Sequence, residues 1–334
     1  MSSITTKKFQ DVRVPAPGFG AMGMSAFYGK TDDEEAKKTL RRAIEIGCTF
    51  WDTADMYGAG HNEELVGSVL NEPGNREKVF IATKFGNDFD RKTRQLNWQI
   101  NGKPEYAKSS LDESLKRLNL PYVDLYYLHR VDPNVPIEDT VLAMEEGRKA
   151  GKFKYLGISE CSAETLRKAA KVVKVDAVQT EYSPWTLDIE ENGLLQACRE
   201  LGVAVVAYSP LGRGFLTGKY QSPDDFEEGD FRRMTPRFSK ENFPKNLELV
   251  KRIEELAKKK GCTPGQLTLA WLMFQGDYII PIPGTKSIKY LEENFAANNV
   301  KVTAEDDKQI REIIKQMPTS GTRYPEAHMH TVNV

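Results

Sequence analysis

Histidine and cysteine are scarce: the 334-residue chain has four of each. Cys48, Cys161, Cys198 and Cys262 are scattered without CxxC spacing, which excludes the usual signatures of a disulfide framework or a zinc site and favours reduced, packed thiols. So few histidines leave little for a metal centre, and no metal is expected. No apolar run approaches the roughly 20 residues that span a bilayer, so no membrane association is expected. The formal net charge of -1 provides no field to gather nucleic acid or an anionic membrane. The opening Met-Ser-Ser-Ile-Thr-Thr-Lys-Lys lacks an apolar signal core and the closing His-Thr-Val-Asn-Val carries no recognisable address, so the expected compartment is the cytoplasm.

What is present is regular. Hydrophobic residues make up 40% of the chain, enough for a large core, and short β-branched or aromatic runs alternate with amphipathic stretches. Strands are expected from 16 to 20, 49 to 52, 79 to 84, 123 to 129, 153 to 158, 176 to 180, 203 to 207 and 278 to 282. Helices are expected near 33–46, 62–71, 105–118, 137–150, 162–173, 190–201, 241–260, 264–275 and 287–298. Asp32 or Asp33 caps the first of these, and Gly47 and Gly151 act as stops. Eight such units imply parallel strands with right-handed crossovers and favour an α/β fold of the (β/α)8 TIM-barrel class over an open sheet. One domain over residues 1–334 is expected, with an irregular tail from 318 to 334. Two stretches, 86–104 and 213–240, are long for βα loops and leave strand ends on one face, where loops form substrate walls or lids. A disordered surface excursion is the other reading of 221–240, although Trp98, Phe215 and Phe231 argue for ordering.

Gly18-Phe19-Gly20-Ala21-Met22-Gly23 spells GxGxxG, but no acidic residue ends a second strand in the way a Rossmann site would use, because Asp52 belongs with Lys84. The glycines are better read as a tight first loop that approaches a ligand at Gly20 and Met22. The stronger signal lies in WDTADMYG, FIATKFG and DLYYLHR, which bring Asp52, Tyr57, Lys84 and His129 to strand ends. A phenol beside an ammonium is a proton donor whose phenolate is stabilised, a carboxylate can hold the ammonium, and a neutral imidazole can orient a carbonyl. For Asp52 and Lys84 alone, a structural ion pair is the competing reading. His61 sits at what reads as an exposed helix start, and His328 and His330 fall in the tail.

Together with Gly157-Ile-Ser-Glu, Gln179, Tyr208-Ser-Pro-Leu-Gly-Arg-Gly and Ile282-Pro-Gly-Thr-Lys, these motifs run nearly the length of the chain. In order and spacing the chain resembles the aldo-keto reductases, NAD(P)H-dependent enzymes built on a (β/α)8 barrel. HNEELVG, IPGTKSIKYLEEN and CTPGQLTLAWL are similar to a fungal and plant branch that includes pyridoxal reductases and perakine-reductase-like enzymes. The resemblance implies a catalytic tetrad of Asp52, Tyr57, Lys84 and His129, acting on a small carbonyl compound, with an aldehyde such as pyridoxal or an aryl aldehyde expected before a ketone. It implies carboxamide contacts from Ser159 and Gln179, nicotinamide stacking by Tyr208, and a pyrophosphate segment containing Ser209, Leu211 and Arg213. Gly284, Thr285, Lys286, Tyr290, Glu293 and Asn294 match the adenosine end.

There are departures. Glu160 stands where relatives often carry Asn, and an unpaired carboxylate there is costly. Gly284 and Tyr290 stand where many relatives carry lysine and arginine, so a grip on a 2′-phosphate falls to Lys286, aided by Lys289; otherwise these are solvated helix charges. NADPH is expected over NADH. Tyr28, Phe85, Trp98, Arg130, Trp185, Phe231 and Arg237 are candidates for a substrate pocket. A cofactor-binding regulatory subunit resembling potassium-channel β-subunits is the alternative from another class, and the oligomeric state is not legible.

Overall fold

The computed structural model describes residues 4–25, 31–90, 92–329 and 332. Tyr28 and His330 lie outside these residues, and the side chains of Trp98 and His328 are likewise not described. Among the described residues no helix is long and apolar enough to cross a membrane, and no cluster of His, Cys, Asp or Glu is able to hold a metal ion. All four cysteines are free; Cys48, Cys161 and Cys198 are buried, as packed thiols should be.

Among the described residues twelve strands follow in order: β1 (Thr6–Phe9), β2 (Val12–Pro15), β3 (Phe19–Gly20), β4 (Phe50–Asp52), β5 (Phe80–Phe85), β6 (Asn87–Asp90), β7 (Gln95–Ile100), β8 (Val123–Leu128), β9 (Phe153–Ser159), β10 (Ala177–Glu181), β11 (Ala204–Tyr208) and β12 (Ile279–Pro281). Eight of them form one parallel sheet in the order β12-β11-β10-β9-β8-β5-β4-β3. Each neighbour pair is joined by a helical crossover, the (β/α)8 architecture anticipated from the alternation. The ends meet through a parallel bridge between Gly20 and Gly284, supported by Gly18 N–H donating to the Pro281 carbonyl at 2.9 Å and Gly20 N–H to that of Pro283 at 3.2 Å.

The helices begin and end for local reasons. Asp32 accepts the Glu34 and Glu35 amides at the start of Asp33–Ile46, whose end is Gly47 at φ 84°. Thr263 and Gln266 form a reciprocal capping box before Pro264–Phe274. Helices facing the sheet bury Val66, Leu111, Val141, Leu166 and Leu272 against outward strand residues such as Trp51, Ile81, Tyr126 and Ile158.

Three elements went unread in the sequence. The hairpin of β1 and β2 puts Phe9 against Phe50, Phe80 and Tyr155, with centroids 5.0 to 6.0 Å apart, and so plugs the amino-terminal end of the barrel. The insertion after β5 is a second antiparallel hairpin, β6 and β7, in which Leu96 packs on the cluster of Ala54, Met56 and Tyr57. A helix over Ala304–Gln316, capped by Thr303 and Asp306, follows the last barrel unit. The 213–240 insertion is four short 3-10 turns around buried Phe226, Asp230, Arg232 and Phe238, which sets aside the disordered reading of 221–240.

Gly18 and Gly20 of the first motif therefore serve closure, not a phosphate-binding helix turn. A Cβ on Gly18 would lie 2.7 Å from the Phe50 ring and 2.8 Å from its carbonyl oxygen, and one on Gly20 would lie 3.0 Å from the Ile282 carbonyl. Gly18→Ala should accordingly cost about 1–3 kcal/mol of stability through overpacking at the seam. Chemical denaturation reads this as a lower midpoint, and an unchanged midpoint would show that the seam relaxes freely.

Candidate active site

Side chains alternate along a strand, so the register decides which residues share the barrel interior. Asp52 pairs with Ala82, Lys84 with Tyr127, Tyr127 with Gly157, Ser159 with Gln179, and Gln179 with Val206. Every member of that series faces inward, and so do His129 and Tyr208, two residues beyond Tyr127 and Val206. The same phase turns Phe85 outward, where it stacks on Tyr126 at 5.1 Å beneath the helices. Phe85 thus lines no pocket, contrary to expectation, because it falls one position out of phase with Lys84.

At the carboxyl ends the four anticipated residues converge. The Lys84 ammonium is fully buried, 2.5 Å from Asp52 Oδ1, 2.8 Å from the Thr53 carbonyl and 3.2 Å from the Tyr57 hydroxyl. Gln179 Nε2 donates to the other Asp52 oxygen at 2.8 Å. The Tyr57 and His129 rings meet edge to face with centroids 5.8 Å apart. Tyr57 is held by the loop after β4, where its N–H donates to the Ala54 carbonyl before Gly60 opens the next helix.

Electrostatics set the protonation states. Burial opposes charge on Lys84, but Asp52 and Tyr57 more than offset it and keep the ammonium's pKa above the ordinary lysine value. Burial raises the Tyr57 phenol above its usual value despite the lowering by Lys84, so the proton is present at neutral pH. Burial first, then Lys84 and Arg130, holds His129 well below the usual imidazole value, leaving it neutral. The Nδ1 of His129 has no hydrogen-bond partner among the described residues.

Around this centre the expected cofactor residues fall on one lip. Ser159 is buried, and its hydroxyl has no partner among the described residues. Tyr208 ends β11 and is followed by a tight turn in which Ser209, Gly212, Arg213 and Gly214 all have positive φ; Leu211 is buried within it. Gly20 and Gly284 abut at the barrel seam, with half-buried Met22 just beyond. Thr285 Oγ1 accepts the Ser287 N–H at 3.1 Å, Lys286 is exposed, and Tyr290, Glu293 and Asn294 lie on the helix Ile288–Phe295. Lys219 and Lys289 both approach the Tyr290 ring, at 5.7 and 5.6 Å. Lys219 was not singled out in the sequence, where it is one charge in a long insertion.

Glu160 is not unpaired. It is fully buried at φ 51°, accepts the Glu181 N–H at 3.1 Å, and lies 3.3 Å from Arg323 in the tail. The next carboxylate, Glu181, faces Arg237 at 3.0 Å and Arg213 at 3.8 Å. Burial would raise the Glu181 pKa, but Arg237, Arg213 and Arg323 hold it below the ordinary value. Arg237 therefore serves an ion pair, and Trp185 stacks on Phe215 at 4.7 Å in the loop core; neither is an open pocket wall. Phe231 stays half-buried near Tyr324, with centroids 6.4 Å apart. In the described part of the tail Glu326–Met329 is a short helix, Arg323 and Val332 are buried, and the Tyr324 hydroxyl lies 3.2 Å from that of Tyr208. His61 bonds Ser25 at 2.8 Å and Asp33 at 3.0 Å, which makes it a connector between loops.

The sequence profile of the Aldo/keto reductase family matches residues 18–315. An aldo-keto reductase of Schizosaccharomyces pombe named yakc [NADP(+)] is 52% identical over 325 residues, covering 97% of this chain and 95% of that protein. The aldo-keto reductase str7 of Strobilurus tenacellus is 49% identical over 329 residues, covering 96% and 95%. Among solved structures, a glycerol dehydrogenase of Gluconobacter oxydans superposes with a TM-score of 0.85 at 27% identity, covering 96% of this chain and 98% of that one.

The Glu160–Arg323 pair makes its own test. Arg323→Met strands a buried carboxylate, a loss of about 3 kcal/mol when one partner of a buried pair is removed. The expected readout is a Tm lower by a few degrees, with cleavage of the tail in limited proteolysis and recovery in the Glu160→Gln background. An unchanged Tm would mean that water replaces the arginine without penalty.

Proposed function

The chain belongs to the aldo/keto reductase family, and on that premise we propose that it reduces aldehydes to alcohols with Tyr57 as the proton donor. The observation that carries the reading is the buried Lys84 ammonium, 3.2 Å from the Tyr57 hydroxyl and paired with Asp52 beside His129. Its cofactor is NADP(H), the dinucleotide in the name of the fission yeast relative. The residues present suit that group: the partnerless Ser159 hydroxyl and the Gln179 amide suit the carboxamide, and Tyr208 offers a ring to stack on the nicotinamide. The turn containing Ser209, Leu211 and Arg213 suits the pyrophosphate. Gly284, Thr285, Lys286, Tyr290, Glu293 and Asn294 suit the adenosine end, with Lys286, Lys289 and Lys219 as the cations for a 2′-phosphate.

When bound, NADPH supplies the hydride. Neutral His129 orients the carbonyl and donates a hydrogen bond as charge builds on its oxygen. Tyr57 gives its proton to that oxygen, and Lys84 stabilises the phenolate left behind. Asp52 holds Lys84 against the cost of its burial and is itself steadied by Gln179. Pyridoxal and aryl aldehydes are the substrates proposed for first trial.

Tyr57→Phe should lower turnover by about 10²–10⁴-fold, the range for a lost general acid, while NADPH binding measured by fluorescence titration stays near the parent value. Near-parent turnover would remove Tyr57 from that role. Because the phenol pKa is raised and the imidazole pKa lowered, the reductive rate should show no inflection at the ordinary His value of about 6.5. It should fall only above the ordinary phenol value of about 10. An acidic limb near 6.5 that disappears in His129→Asn would contradict this. Lys286→Ala should reduce the NADPH-over-NADH preference in kcat/KM by roughly tenfold, and an unaltered preference would reject that grip.

A further inference from the structure

Arg130, Arg213, Arg237 and Arg323 gather near the carboxyl ends of the strands, and the last three engage carboxylates there. Arg237 and Arg213 share Glu181, and Arg323 spans Glu160 and, at 3.6 Å, Asp188. Arg130 is the fourth. Its Nη1 donates to the His129 carbonyl at 2.8 Å and its Nη2 lies 3.5 Å from the Tyr324 hydroxyl. Among the described residues it has no carboxylate at ion-pair distance. The Tyr324 hydroxyl lies 3.2 Å from that of Tyr208, so the guanidinium reaches from the end of β8 across the mouth toward the end of β11. It is half-buried, next in sequence to the imidazole that would orient the carbonyl.

We infer that Arg130, with the Tyr324 hydroxyl, forms an anion-binding subsite at the lip of the active site, and that the preferred carbonyl substrates carry a carboxylate or phosphate group. This rests on the reductase reading above. A guanidinium has five donors in a planar fork and is always charged; two of these donors are engaged, which leaves others for an incoming anion. Partial burial limits hydration of the cation, so an anion exchanges less water for a charge-assisted hydrogen bond than it would at an open surface. With the carbonyl held at Tyr57 and His129, an acidic group a few bonds away falls within reach of Arg130. The tail thereby takes part in substrate choice, since it brings Tyr324 to the subsite.

The test compares kcat/KM for benzaldehyde with 4-carboxybenzaldehyde, and for pyridoxal with pyridoxal 5′-phosphate, in the parent enzyme, Arg130→Met and Arg130→Lys. The parent should favour the charged member of at least one pair by about tenfold or more, and Arg130→Met should erase that ratio while Arg130→Lys keeps part of it. The pair that responds identifies carboxylate or phosphate as the recognised group. The KM of the charged substrate should rise with ionic strength, as expected of a partly exposed ion pair. Calorimetric binding of benzoate to the NADP+ complex, lost in Arg130→Met, reads the subsite without turnover.

Turnover of both members of each pair with equal kcat/KM would overturn the inference and leave the reductase reading intact. An equal fall for charged and neutral substrates in Arg130→Met would assign the residue to catalysis instead. A tenfold loss of NADPH affinity in that variant would assign it to the cofactor. Absence of NADPH oxidation with all four aldehydes would instead count against the reductase reading, with benzoate binding still deciding whether the subsite exists.

Discussion

A fully buried ammonium group is the constraint on which the rest of the molecule depends. Removing the Lys84 charge from water costs several kcal/mol unless good acceptors surround it. Asp52, the Thr53 carbonyl and the Tyr57 hydroxyl provide them, drawn from β4 and the loop that follows it. These groups meet Lys84 only if β4 and β5 pair with Asp52 opposite Ala82. A slip of one residue would turn Lys84 toward the helices and leave its charge in apolar surroundings. The burial of this ammonium and the strand register therefore impose the same condition. The glycine seam between Gly20 and Gly284 extends it to the whole barrel, since the remaining strands keep phase around a closed circuit.

The mouth adds a second layer of charge around that centre. Glu160 and Glu181 are buried carboxylates whose partners come from elements far away in the chain: Arg213 and Arg237 from the long insertion, Arg323 from the tail. These pairs tie the insertion and the tail to the ends of β9 and β10, so segments that read as loops are fastened at the carboxyl ends of the strands. Glu160 shows how a buried carboxylate at a strand end is accommodated. The carboxylate gains an arginine from the tail and a backbone amide from Glu181, and its desolvation is offset locally.

The eight strands were legible because each is a short apolar run between loop residues, and Asp32 and Gly47 are signals directly beside the helix that they bound. The convergence of Asp52, Tyr57, Lys84 and His129 was legible because each of the three motifs ends a strand, or lies just past one, on the same face. The β1–β2 hairpin escaped notice since its strands have four residues each and its Gln10-Asp11 turn is not a strong turn signal. Arg323 and Tyr324 escaped because nothing local distinguishes them; they sit in a polar, proline-containing tail. Phe85 was misassigned because an aromatic beside Lys84 looks like a pocket wall until alternation places it on the other face.

The sequence by itself determined the periodicity, the barrel class and the strand ends that carry Asp52, Lys84 and His129, since all of these are properties of neighbours along the chain. Only the tertiary structure decided which cation meets which carboxylate, which way each side chain faces, and that the tail reaches the site. The reason is physical: Arg323, Arg237 and Tyr324, which meet Glu160, Glu181 and Arg130, lie tens to hundreds of residues away, and no local pattern encodes a pairing that exists only after the strands have closed on one another.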